Sequence, residues 1–139
     1  MNYVVKRQNT VIEIMEKSRF RVPTPFEQIH QSVQPYLGDG NKMGEGWLLT
    51  GEMLELIHEG IPNIVCTQPF GCLPNHIVGK GMIRPLKDDY PDSNIVAIDY
   101  DPSATAINQE NRIKLMLANA RQKMKQDKKR AEESSSAKN

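Results

Sequence analysis

Cysteine, aromatic residues and unbalanced charge are all scarce in this chain. It has two cysteines in 139 residues, and only 6% of its residues are aromatic. The 18 basic residues nearly match the 17 acidic ones, so net charge gives no reason to expect a nucleic-acid partner. Two cysteines also exclude the disulfide framework of a small secreted protein. Any partner must therefore be inferred from local sites.

Long apolar runs and glycine-rich phosphate loops are also missing. No apolar run approaches the roughly 18 to 20 residues of a membrane span. The first residues carry Lys6 and Arg7 but no following apolar block, so they do not resemble a signal peptide. These absences predict a cytoplasmic protein with no membrane partner and no ATPase site of its own. A hydrophobic content of 38% is lean for a self-sufficient domain, as expected for a piece of a larger protein.

Two short apolar runs, residues 64–66 and 95–98, are rich in β-branched residues and predict buried strands. Helical stripes precede the first run and follow each of the two. The sequence thus predicts an α/β fold, a Rossmann-like fragment with at least two parallel strands in βα units, preceded by two or three helices. We expect an N-terminal helical region at 1–40, the Rossmann-like domain at 41–120, and a charged tail at 121–139 that is either a frayed helix or disordered. So small a sheet leaves apolar surface exposed, which predicts self-association.

Capping and breaking residues predict where the helices begin and end. Thr24 is expected to cap a helix over residues 25–36. A third helix is expected over Gly44–Gly60, ended by its last glycine. The helix that opens near Leu73 should kink at Pro85, or end there and restart before Tyr90, because an interior proline removes a hydrogen bond.

The turn between the first strand and the next helix carries both cysteines. Cys66 lies inside the apolar strand, where alternation places it against the core. Cys72 follows Gly71 and opens a helical pattern with Pro74 in its first turn. Backbone N–H groups and the positive end of the helix dipole converge at such a position, which suits a thiolate ligand or nucleophile. The alternative is that both cysteines simply pack in the interior.

Other polar residues are expected near the same edge of the sheet. His76 lies four residues after Cys72 and either faces the same site or is a partly exposed polar residue. Asp99 and Asp101 follow the second strand. One interpretation is that they are metal ligands or acid–base groups. The other is that they accept hydrogen bonds from local backbone N–H groups and so shape the turn. Ser103 or Asp101 can cap the last helix. Because parallel strands end together, Cys72 and Asp101 should share one edge of the sheet.

Gly44 and Gly46 precede the single tryptophan, Trp47. One interpretation is a tight entry turn with Trp47 as a core anchor; the other is a loop that approaches a ligand closely.

Three motifs carry a family resemblance: GEGWLLTGEM, then NIVCTQPFGCLPNHIVGKG, then IDYDPSATAINQENRIKLML. In this order they resemble the C-terminal region of the large fused activators related to 2-hydroxyacyl-CoA (2-hydroxyglutaryl-CoA) dehydratase activators, the CoA-substrate-specific enzyme activase family. That region is similar to the dehydratase D-component subunits, which have Rossmann-like subdomains and hold [4Fe-4S] clusters through cysteines.

The resemblance implies ATP-driven, low-potential electron transfer by a parent protein. It implies a [4Fe-4S] cluster in that parent, ATP bound in other domains, and dehydratase components as partners. The metal ligands that the resemblance implies are Cys72 and, as a weaker match, Cys66. Asn75, His76 and Ser103 complete the candidate cofactor-binding residues. Two cysteines cannot build a four-thiolate cluster, which is a departure from the pattern.

Three hypotheses follow. The chain contributes a cysteine to an iron–sulfur cluster of an activator or reductase, binds CoA or another anion at the strand ends, or has a purely structural role in the larger protein. No residue is predicted to be catalytic.

Overall fold

The computed structural model describes residues 3–103 and 105–136. Its elements in chain order are α1 (Tyr3–Met15), α2 (Phe26–Val33), α3 (Leu48–His58), β1 (Asn63–Pro69), a π-helical segment (Asn75–Gly79), a 3₁₀ turn (Lys80–Met82), α4 (Ile83–Asp89), β2 (Asn94–Tyr100) and α5 (Ala106–Ser136). Three helices thus precede two parallel strands joined by helical chain, which confirms the predicted Rossmann-like α/β fragment. Within these residues, no helix has the length and apolar character needed to cross a membrane.

The two strands pair in parallel from Asn63 opposite Asn94 to Pro69 opposite Tyr100. Their carboxyl ends therefore lie side by side, as the sequence predicted. On β1 the buried residues alternate with exposed ones, so one face of the strand packs inward. That face joins helices α2, α3 and α4 in one hydrophobic core, whose buried members are Val33, Met53, Leu54, Ile64, Cys66, Leu86 and Ile95.

The first turn of α2 differs from the prediction. The helix begins at Phe26, and Thr24 does not cap it. Instead, the Thr24 backbone N–H donates to Glu55 Oε1 at 3.2 Å and its hydroxyl donates to Glu59 Oε1 at 3.3 Å. The carboxylates of α3 therefore fix the chain that enters α2. A cap prediction reads only neighbouring residues, and it missed these partners because they lie more than thirty positions away along the chain.

Helix α3 begins at Leu48, four residues later than predicted, because Gly44 and Gly46 both have positive φ angles, of 58° and 54°. They form a tight loop in which the Trp47 N–H donates to the Asn41 carbonyl. Trp47 itself is partly buried against the core and lies 4.9 Å, centroid to centroid, from the His30 ring. The structure thus places Trp47 as a core anchor.

Gly46→Ala is expected to destabilise the chain more than Gly60→Ala. Both glycines have positive φ, which costs an L residue about 1–2 kcal/mol. At Gly60 an added Cβ would meet open space, whereas at Gly46 it would overlap the Asn41 carbonyl oxygen. Urea denaturation of the two variants measures the difference, and equal losses of unfolding free energy would refute this account of the loop.

The chain restarts as a regular helix at Ile83, two residues before Pro85. Pro85 therefore occupies the first turn of α4, where its missing N–H has no partner to lose. The interruption predicted at Pro85 lies upstream instead, in the π-helical segment and the 3₁₀ turn, which contain Gly79 and Gly81. A restart was predicted correctly, but its position was wrong.

Helix α5 continues through Ser136, so of the two forms predicted for the charged tail, a frayed helix or a disordered segment, the structure has a helix as far as it describes the chain. Its last turns are rich in strong helix formers. Ion pairs one turn apart join Lys128 to Glu132 at 4.0 Å and Lys129 to Glu133 at 3.7 Å. Such pairs support an exposed helix without tertiary contacts.

Candidate functional site

Cys72 lies in the turn that leaves the carboxyl end of β1. Its backbone N–H donates to the Pro69 carbonyl at 3.1 Å, which closes the turn. Its thiol is partly exposed and donates to Asn75 Oδ1 at 2.8 Å. The Asn75 amide is itself buried and donates from Nδ2 to the Thr67 carbonyl at 3.0 Å. Asn75 thereby ties the cysteine turn to the strand, and it holds the Cys72 side chain in one place.

His76 and Lys80 extend the site toward the second strand. His76 Nδ1 lies 2.8 Å from the Cys72 carbonyl, so this nitrogen carries the proton. Its Nε2 is 3.7 Å from Asp99 Oδ1. Lys80 Nζ donates to both Asp99 carboxylate oxygens at 3.2 Å. The strand ends therefore meet through Asp99, and the positive charge of Lys80 is neutralised there.

The π-helical geometry of this segment has a partner on α3. The buried Thr50 hydroxyl donates to the Val78 carbonyl in a short hydrogen bond. A π-helical segment leaves carbonyls without their usual helical partners, so Thr50 satisfies one of them. Gly79 follows, and a Cβ there would come within 3.3 Å of Cys66 Sγ. Helix α3 and β1 thus fix the segment that presents His76 and Lys80.

Cys66 belongs to the core and not to this edge. It is 9% exposed on the inner face of β1, and its sulfur accepts a hydrogen bond from Gln68 Nε2 at 3.0 Å. Burial raises the pKa of the Cys66 thiol above its ordinary value, and the Gln68 bond offsets this only in part. The structure does not bring Cys66 and Cys72 together in one exposed site.

Alkaline pH should destabilise the native chain more than its Cys66→Ala variant. The folded-state pKa of Cys66 is raised, so its contribution to stability is full below the ordinary thiol pKa of about 8.5 and is lost as pH rises above it. The gap in unfolding free energy between the two proteins should narrow as pH rises from about 8 into the alkaline range. Urea titrations across that range measure the gap, and a gap that stays constant would contradict a raised pKa for Cys66. Burial and the hydrogen bond to Asp89 also raise the pKa of Tyr36. Because Tyr36 is present in both proteins, its titration does not change the gap between them.

Ser103 and Asp101 form a local turn beyond β2. Asp101 Oδ1 accepts hydrogen bonds at 2.7 Å from both the backbone N–H and the hydroxyl of Ser103, and these bonds lower the pKa of Asp101. Helix α5 begins only at Ala106. Asp101 therefore shapes the turn, as one of the two interpretations held. The Ser103 hydroxyl is therefore already hydrogen-bonded within that turn.

Two clefts flank the site. A polar cleft of about 410 Å³ lies at the start of α5 and is lined by Asp99, Asn108, Gln109, Asn111 and Arg112. An apolar groove of about 350 Å³ lies on the other side, beside Cys72. It is lined by Gly40, Asn41, Met43, Gly44, Gly46, Leu73, Pro74, Ile77 and Val78. In this groove Met43, Leu73 and Ile77 are exposed, and nearby Phe70 is exposed as well.

The sequence predicted Cys72, Asn75 and His76 at this edge, and the structure brings them together. The sequence analysis did not predict that Thr50 and Lys80 contribute to the site. Lys80 could have been found, since it lies four residues after His76 and eight after Cys72, which is helical spacing. Thr50 gave no such signal, because its role depends on a carbonyl 28 residues away.

The described residues do not form a complete metal site. Nowhere in 3–103 or 105–136 does a group of three or more His, Cys, Asp or Glu side chains converge as ligands for a metal ion. A [4Fe-4S] cluster held by four thiolates does not fit these residues alone, because only the Cys72 thiol is accessible.

Comparisons with known proteins identified no relative. No protein-family model matches the chain, and no curated protein or solved structure matches it significantly.

Proposed function

We propose that this chain is a domain of an ATP-dependent activator or reductase of the 2-hydroxyacyl-CoA dehydratase activator type. In this proposal Cys72 supplies one thiolate ligand to an iron–sulfur cluster that serves low-potential electron transfer. The remaining ligands come from outside the described residues, on the other domains of a parent protein or on a dehydratase component. ATP binds elsewhere in that assembly.

The observation that carries the proposal is the placement of Cys72. Its sulfur is accessible, lies at the carboxyl end of a parallel sheet, and is held by a buried amide that is bonded to the strand. Ligands of α/β folds commonly bind outside the carboxyl ends of the strands. Cys66 lacks this accessibility, so the proposal rests on Cys72 alone.

The apolar surface beside Cys72 supports a shared site. Phe70, Leu73 and Ile77 are exposed around the cysteine turn. An exposed apolar patch of this kind is typical of an interaction surface. A second polypeptide seated there would exclude water from the sulfur and would carry the missing ligands.

Charge at the site favours this role over binding of CoA or another anion. Lys80 is neutralised by Asp99, and Arg112 donates to the Ala97 carbonyl at 2.9 Å. The edge therefore has little uncompensated positive charge for a phosphate.

Both cysteines are free, which suits the reducing conditions of the cytoplasm, where we place the protein.

Anaerobic reconstitution tests the proposal. The native chain, Cys72→Ser and Cys66→Ala are each incubated with ferrous iron, sulfide and excess small thiol, which supplies the ligands that the chain lacks. After desalting, iron content, visible absorption and electron paramagnetic resonance of the reduced sample are measured. The native chain and Cys66→Ala should retain a cluster, and Cys72→Ser should lose it.

Cys66→Ala is the matched control, because it removes the other thiol and leaves the site intact. Retention of native iron content by Cys72→Ser would refute the proposal. Absence of bound iron from all three proteins would leave the anion-binding and structural roles, which a titration with CoA esters distinguishes.

A further inference from the structure

Helix α5 runs along β2 and then continues past it. Toward the carboxyl end of the strand, Gln109 and Arg112 donate hydrogen bonds to backbone carbonyls of β2. Near the amino end, Lys123 Nζ lies 2.6 Å from Asp92 Oδ1, just before the strand begins. The helix continues from there to Ser136, which is about 20 Å at the usual rise per residue. Helix α5 is therefore longer than the strand that it covers.

An apolar stripe runs along α5 beside its sheet-facing side. Its members are Ile113, Leu117, Ala120 and Met124, whose spacing of four, three and four residues is that of a coiled-coil seam. Ile113 is 37% exposed, Leu117 is 47% exposed and Met124 is 71% exposed. A narrow apolar row of this kind is suited to packing against one neighbouring helix.

The positive charge of the chain is concentrated on the same part of α5. Residues 114–130 contain seven basic residues and one acidic residue, which leaves 11 basic and 16 acidic residues in the rest of the chain. The nearly neutral total therefore hides a basic helix on an acidic body. Such a separation of charge steers a partner of the opposite sign toward the basic part.

A basic row borders the apolar stripe on its solvent side. It consists of Lys114, Arg121 and Lys128, which are seven residues apart and lie at the flanking positions that select partners in coiled coils. Lys114 pairs with Glu110 at 2.9 Å, and Lys128 pairs with Glu132 at 4.0 Å. Exposed pairs one turn apart are weak, so carboxylates of a partner can replace them.

We propose that α5 docks an amphipathic helix of another polypeptide, whose apolar residues pack on the apolar stripe and whose flanking residues are acidic. Those acidic residues pair with the basic row. A second copy of this chain does not fit. In an antiparallel pair of α5 helices the two basic rows face each other, and in a parallel pair each basic row faces Lys123 and Arg130 of the other copy. This inference is independent of the proposed cluster.

A membrane surface and a nucleic acid fit α5 less well than an acidic helix does. The apolar stripe contains no aromatic residue and is narrower than the apolar face of a helix that lies on a membrane. A nucleic acid would pair with the basic row through its phosphates and would leave the apolar stripe exposed. An acidic amphipathic helix covers both features at once.

Fluorescence anisotropy of two labelled peptides, titrated with the full chain, tests the proposal. Both peptides are amphipathic helices of about four heptads with leucine at the seam positions. One carries glutamate at all flanking positions and the other carries lysine, so like charges keep each peptide from pairing with itself. The glutamate peptide should bind and the lysine peptide should not, and added salt should weaken the binding.

Substitutions on α5 locate the binding surface. Leu117→Glu places a charge in the apolar stripe and should weaken binding of the glutamate peptide at least about tenfold. Leu115→Glu is the matched control, because it makes the same change at a position that is 64% exposed on the opposite side of the helix. Its affinity should be native. Arg121→Glu should weaken binding about two- to fivefold, and Arg121→Lys should not.

Failure of the glutamate peptide to bind would overturn the proposal. So would equal losses for Leu117→Glu and Leu115→Glu, or a native dimer in sedimentation velocity that Leu117→Glu dissociates. Vesicles of phosphatidylcholine and phosphatidylserine, and a DNA duplex, are the comparison probes. Tighter binding of either one than of the glutamate peptide would assign α5 to that partner instead.

Discussion

Iodoacetamide is expected to modify Cys72 about 100-fold faster than Cys66 in the folded chain. Cys72 is partly exposed, whereas Cys66 lies in the core with a raised thiol pKa. Cys66 therefore reacts only when the structure opens, and an opening free energy of about 3 kcal/mol gives this ratio. A time course at neutral pH, with the two cysteine peptides quantified by mass spectrometry, measures both rates.

The unfolded chain supplies the control for this experiment. In urea the two thiols should react at similar rates, since burial no longer distinguishes them. Similar rates in the folded chain would mean that Cys66 is as accessible as Cys72. The distinction between a core cysteine and a site cysteine would then fail.

Leu54→Ala is expected to cost about 2–5 kcal/mol of unfolding free energy. Leu54 is 0% exposed in α3 and packs in the core cluster between the helices and the sheet. Removing its side chain loses buried apolar surface and leaves a cavity. Guanidinium denaturation, followed by circular dichroism, measures the loss.

Leu115→Ala is the matched control, because it makes the same substitution on a helix where the side chain is 64% exposed. It should change the unfolding free energy by about 0.5 kcal/mol or less. Equal losses for the two variants would show that α3 does not pack as described.

Apolar periodicity was enough to predict the two strands, their parallel pairing and the meeting of their carboxyl ends. These features depend on short runs such as residues 64–66, whose pattern is local. The prediction of a buried Cys66 followed from the same alternation.

Features that depend on distant partners could not be predicted. Thr24 looked like a cap but bonds to the carboxylates of α3, and the π-helical segment needs the Thr50 hydroxyl. The late start of α3 depends on backbone angles at Gly44 and Gly46, which sequence permits but does not require. Asp99 was predicted as a metal ligand, an acid–base group or a turn-shaping residue, but it pairs with Lys80, and this contact depends on the position of the 3₁₀ turn relative to β2.

The most direct test of the central claim observes the cysteine β-carbons themselves. The chain has two cysteines, so a sample labelled with carbon-13 at the cysteine Cβ gives two assignable signals. A thiolate bound to a paramagnetic cluster moves its Cβ resonance far outside the diamagnetic range. After anaerobic reconstitution with iron, sulfide and small thiol, the Cys72 signal should move in this way and the Cys66 signal should stay in place. A cluster-containing sample in which the Cys72 Cβ resonance does not move would contradict the claim that Cys72 is the ligand.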